Sequence, residues 1–79
     1  VAQLMNDPDK VAEIYQKVAA YEEAKPTLDE DSKSYLENVY YGLGYYYSKK
    51  GNKPLADEYF NKVLKINPNN DGAKKALGM

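Results

Sequence analysis

Side chains with chemical potential gather in two places, an acidic run at Asp29-Glu30-Asp31 and a tyrosine-rich stretch from Tyr40 to Tyr47. The acidic run carries the charge of a calcium loop, but it lacks alternating ligands and a closing Glu. It reads instead as carboxylates at a helix start, where they complement the dipole. Ser32, Ser34 and Ser48 have no base to activate them, because the chain contains no His and no Cys. Imidazole bases, thiol nucleophiles and the usual zinc ligands are therefore absent together, and the serines read as helix caps or surface residues. Gly42 and Gly44 are not followed by the rest of a phosphate loop. No catalytic residue, metal site or cofactor is expected. Tyr41 and Tyr45, four residues apart, share one side of a helix with Asn38, Ser48 and Lys49. Tyrosine suits recognition because it buries area with few rotors and keeps a polar tip.

These side chains need a helix to align them. Leu36, Tyr40, Leu43 and Tyr47 recur at steps of four, three and four, which places them on one helical face. Ala56, Phe60 and Val63, with Tyr59 and Leu64 beside them, do the same for a second helix. Gly51 suits the left-handed residue that ends the first, and Pro54 suits the first turn of the next. The spacing predicts an antiparallel pair in which Gly44 faces Ala56 while Tyr47 and Phe60 close over them. Tyr46 is expected to pack on the preceding long helix. A strand competes for Val39 to Tyr47, since Tyr is a good strand former and two glycines cost a helix about 1 kcal/mol each. The flanking caps and the second amphipathic segment favour helix. Gly44 has a packing reason in that arrangement, and Gly42 has none.

Tyr40, Leu43-Gly44, Tyr47, Ala56, Phe60 and Pro68 stand at the signature positions of a tetratricopeptide repeat, a helix-turn-helix unit of 34 residues. The segment from Glu37 to Asn70 resembles one complete repeat, with Tyr40 in place of the usual Trp. The resemblance implies an all-α, right-handed solenoid of antiparallel helical hairpins, here about three main helices and a short C-terminal capping helix. It also implies that Asn38, Tyr41, Tyr45, Ser48 and Lys49 line a concave groove for an extended or helical peptide. The Lys and Asn clamp that some members use for a partner's terminal carboxylate is missing, because Tyr41 and Tyr45 stand at the matching positions. The function implied is a noncatalytic protein-protein interaction module with a protein or peptide partner. The alternative is a purely structural or self-associating segment, in which Tyr41 and Tyr45 pack on a neighbouring helix and homo-oligomers form through exposed helix faces. Under the binding reading, Tyr41→Ala and Tyr45→Ala leave the fold intact and weaken partner capture.

The rest of the chain follows from this centre. Val1 to Met5 reads as the last turn of an earlier helix, and Asp7 caps a restart at Pro8. From Pro8 to about Lys25, Val11, Ile14, Tyr15, Val18 and Tyr21 form the apolar face. This helix resembles the second helix of an earlier repeat, offset by 45 residues and so 11 longer than the family period. The extra length is expected to extend the first helix to Lys25 and to start the Tyr40 helix near Asp29 to Ser32, with a capping box at Thr27-Leu28-Asp29-Glu30 and Asp31-Ser32 or Ser34 as later alternatives. Both extensions would then project together as a hairpin. After Pro68, Asn69 to Gly72 offers a cap for a short helix over Ala73 to Leu77, a lid over the side of the helix that carries Phe60. Leu77-Gly78 repeats Leu43-Gly44 at a separation of 34 residues, like the opening of a further repeat. The whole, 1–79, reads as a single domain: 1–36 a partial repeat, 37–70 a complete one, 71–79 a capping or truncated helix.

Bulk composition agrees. Leu, Ile, Val and Phe total 15 of 79 residues, near the level where disorder becomes a concern, but nine tyrosines and a net charge of −1 favour collapse. No window approaches a membrane span, and no signal peptide is visible. Single-stranded nucleic acid stacking on Tyr41 and Tyr45 beside Lys49, Lys50 and Lys53 is disfavoured by net acidity and the lack of any Arg. The chain begins with Val1 and is expected to be a piece of a longer helical-repeat protein, whose compartment the residues do not reveal.

Overall fold

A computed structural model describes residues 8–79. The turn expected at Val1 to Met5 and the cap expected at Asp7 lie outside the described residues. Among the described residues four helices follow one another: α1 (Pro8–Glu23), α2 (Glu30–Lys49), α3 (Lys53–Ile66) and α4 (Asp71–Ala76). Among the described residues there is no strand, and Val39 to Tyr47 lies wholly within α2. The molecule is all-α, built of antiparallel helical hairpins in which α2 packs on both α1 and α3, and α4 packs on α3.

The helix ends show why the chain turns where it does. α1 stops two residues short of Lys25, because Pro26 biases the residue before it away from the helical region. The Lys25 ammonium instead turns back to the Glu22 carboxylate at 2.8 Å. The cap of α2 is Asp29, whose carboxylate accepts from the Ser32 backbone N–H at 2.7 Å, so Thr27 is not the capping residue. Lys25 first, and buried Ser32 with it, hold the Glu22 carboxyl below its ordinary range, where the end of α1 meets the start of α2. At 20 residues α2 is the longest helix, while α1 lacks the matching extension. Only one arm of the expected projecting hairpin is therefore helical.

Between α2 and α3, Gly51 adopts φ of 80°. The N–H of Gly51 bonds to Ser48 O and that of Asn52 to Tyr47 O, a Schellman close that only a residue tolerant of positive φ completes without strain. Asn52 then caps α3, with Pro54 in its first turn. Asn70 caps α4 by accepting from the Ala73 N–H at 3.0 Å. The Glu37 carboxylate of α2 accepts from the side chains of Asn67 at 3.0 Å and Asn70 at 2.8 Å, fastening the α3–α4 corner. Gly78 ends α4 in the same Schellman geometry as Gly51. Leu77-Gly78 thus differs from Leu43-Gly44, which sits in mid-helix.

The interior lies between α2, α3 and α4, where Leu36, Val39, Leu43 and Val63 are fully buried beside Tyr40, Ala56, Phe60 and Ala73. The Phe60 ring fills the space at Gly44: a β-carbon there would stand 2.9 Å from two ring carbons. Tyr47 does not join it over Gly44 but stacks on Tyr59, with centroids 5.7 Å apart. Of its apolar residues α1 buries only Ala12 and Ala19; Val11, Tyr15 and Val18 are half-buried, and Ile14 and Tyr21 are 41% and 64% exposed. The expected apolar face is thus corrected. α1 has α2 as its main neighbour, and the small alanines allow the closer approach, leaving the larger side chains at the flanks and outside.

Candidate functional site

Because α2 packs on helices at either side, one strip of its surface stays open, and Asn38, Tyr41, Tyr45, Ser48 and Lys49 are all exposed there. The structure divides these five residues. Tyr41 leans toward α3 and α4: its ring meets Phe60 edge-on at 5.7 Å, and its hydroxyl lies 2.7 Å from where a β-carbon on Gly72 would be. Part of its surface therefore lies against α3 and α4 and is not open to a partner. Ser48 borders a small recess with Phe60 and Ala76. Tyr45, 54% exposed, faces the other way with Lys49, whose Nζ sits 4.9 Å from the Tyr45 ring centroid, within cation–π range.

Tyr45 and Lys49 border an open cleft of about 590 Å³ between α1 and α2. Val11, Ala12 and Tyr15 form the α1 wall, and Gly42 lines the cleft with Tyr45 on the α2 side. Tyr15 can lie so low only because Gly42 has no side chain; a β-carbon there would stand 2.7 Å from Tyr15 Cε2. This supplies the packing reason that Gly42 lacks in the sequence. Val11 and Tyr15 read as interior from their periodicity, and nothing in that periodicity separates a buried face from one lining a cleft.

Charge is concentrated at the mouth. The Asp9 carboxylate accepts a hydrogen bond from the Tyr46 hydroxyl and lies 3.2 Å from Lys50 Nζ. The Tyr46 bond first, then Lys50, hold the Asp9 carboxyl below its ordinary range, so it stays ionised and engaged. Lys49 has no carboxylate within ion-pair distance among the described residues.

The other tyrosines near α1 are spoken for. The buried Tyr40 hydroxyl donates to Glu23, and Lys62 lies 3.8 Å from the same carboxylate and over the rings of Tyr40 and Tyr59, at 5.3 and 5.5 Å. Burial, reinforced by Glu23, pushes the Tyr40 hydroxyl well above its usual pKa. The Gln16 side chain donates to the Tyr47 hydroxyl. These bonds fasten α1 to α2. Among the described residues no three His, Cys, Asp or Glu side chains cluster as a metal site, and no helix is long and apolar enough to cross a membrane. The arrangement can bind an apolar or aromatic side chain beside a cation.

No curated protein and no solved structure matches the chain. A family model does match, the tetratricopeptide repeat, over residues 37–70. That span runs from the Glu37 that fastens the corner to the Asn70 that caps α4, and includes all of α3 with most of α2. Residues 37–70 form a tetratricopeptide repeat, a unit that in general serves as a noncatalytic scaffold for binding protein partners.

Proposed function

We propose that this chain is a noncatalytic interaction module that binds a protein or peptide along the open strip of α2. Asn38, Tyr41, Tyr45, Ser48 and Lys49 form the binding face, with 1–36 as a partial repeat, 37–70 as the complete one and 71–79 as a cap. The observation that carries this reading is the exposure of Tyr45 beside Lys49 at the mouth of the α1–α2 cleft, within the matched repeat. An exposed aromatic at the edge of an apolar recess is the composition of an interface anchor. The partner is not a nucleic acid, since the chain has a net charge of −1 and no Arg to track a phosphate backbone.

A second reading has its own support. Ile14 and Tyr21 stand exposed on the side of α1 away from α2. They suit burial against another repeat of a longer array, or against a second copy. Sedimentation of Tyr45→Ala and Ile14→Glu separates the readings. Peptide capture lost with Tyr45→Ala from a monomer supports the module. A dimer that dissociates only with Ile14→Glu, with no peptide captured by either protein, supports the structural alternative.

A further inference from the structure

We propose that the α1–α2 cleft selects a peptide in which an apolar side chain is followed closely by a carboxylate, the apolar group entering between Tyr15 and Tyr45 and the carboxylate meeting Lys49. This rests on the binding reading above and adds the chemistry of the partner.

Three charges surround the mouth, and two of them are already matched. Asp9 holds Lys50 at 3.2 Å and takes the Tyr46 hydroxyl as well, so this pair presents little net field. Among the described residues, Lys49 is left as the unmatched charge of the three. Its ammonium sits 4.9 Å from the Tyr45 ring centroid, and this cation–π contact favours the position in which an anion would meet it. A carboxylate bound at Lys49 therefore lies next to the aromatic wall, so one ligand satisfies both. A basic peptide would meet an uncompensated cation at the entrance.

The end of α2 would ordinarily oppose an anion, since its last carbonyls carry partial negative charge. Here those carbonyls are occupied. Tyr46 O accepts from the Lys50 N–H, Tyr47 O from Asn52 and Ser48 O from Gly51. The Schellman close thus removes much of the repulsion. The Tyr41 side of the strip offers no equivalent, because that ring is committed to Phe60 and Gly72.

The test is selection from a displayed library of random short peptides, followed by anisotropy measurements on individual enriched peptides with the intact chain, Lys49→Gln, Lys49→Glu and Tyr45→Ala. Enriched sequences should place Asp or Glu within a few residues of Leu, Ile, Phe or Tyr. Their affinity should fall about threefold with Lys49→Gln, the effect of one exposed charge pair, and the loss should shrink at high salt. Selection on Lys49→Glu should no longer enrich acids. Peptides that bind through Tyr45 without acidic preference, or that ignore Lys49→Gln, overturn this inference and leave the binding module standing. Failure to enrich any peptide, with the variants folded by circular dichroism, overturns both.

Discussion

The Tyr15 ring of α1 lies over Gly42 of α2, so close that a β-carbon on the glycine would stand 2.7 Å from Tyr15 Cε2. The same relation recurs between Phe60 and Gly44, and between Tyr41 and Gly72. α2 is thereby joined to α1, α3 and α4 by an aromatic ring set against a missing side chain. The three joints differ in how freely the ring can yield.

Gly44→Leu should destabilise the fold by about 1–3 kcal/mol, because buried Phe60 has nowhere to go. Gly42→Ala should be far milder. Half-buried Tyr15 can swing outward, and the gain of about 1 kcal/mol in helix propensity offsets the displacement. Urea denaturation of both variants checks the contrast, which equal losses would refute.

Tyr41→Ala should lower stability by about 1–2 kcal/mol through the lost edge contact with Phe60 and the gap left over Gly72. Tyr45→Ala should change stability by less than about 0.5 kcal/mol, as expected of an exposed position. Thermal melts of the two proteins decide it, and reversed ranks would mean that the two rings have been assigned the wrong tasks.

Stability should decline at both extremes of pH. Burial raises the Tyr40 and Tyr59 hydroxyls above the ordinary value near 10. Their contribution is complete below that value and is lost as pH climbs, because the unfolded chain ionises first. The Asp29 carboxyl, lowered by the Ser32 backbone N–H, and those of Asp9 and Glu22 act oppositely. Their contribution is complete above about pH 4 and is lost as pH falls through the depressed folded values. Melting temperature against pH should be flat near neutrality and fall at both ends. Tyr40→Phe should flatten the alkaline limb, and an unchanged limb would assign it to other tyrosines.

Glu37→Ala should loosen the α3–α4 corner by about 1–3 kcal/mol, since two asparagine side chains lose one charged acceptor. Hydrogen exchange should quicken at Ala73 and Lys74 before it does at Leu43. Uniform quickening throughout would show that the corner does not open separately.

Much of the architecture is legible in residue order. Leu36, Tyr40 and Leu43 repeat at helical spacing and are buried; Gly51 and Pro54 mark the turn they occupy. The family positions from Glu37 to Asn70 coincide with the matched repeat. Spacing misleads where one helix has too few neighbours. Ile14 and Tyr21 carry a core-like period, yet α1 turns its alanines inward because close approach to α2 requires small side chains. Gly78 copies Gly44 at the family interval but adopts φ of 78°, since α4 ends there and does not run on. The cleft is not legible at all. It depends on Tyr15 of one helix and Gly42 of another, and no local pattern links positions so far apart.

Ala12 and Ala19 are the buried apolar residues of α1; the Tyr15 ring over Gly42 and half-buried Val18 add to them, and the rest of its hold on α2 comes from polar bonds near its rim, at Asp9, Gln16 and Glu23. Such bonds re-form readily after slight sliding, whereas interlocked hydrocarbon does not. One wall of the recess is therefore a compliant jaw set against a rigid one. Under the proposed binding, guests of somewhat different girth would be gripped without disturbing the tightly knit repeat behind it.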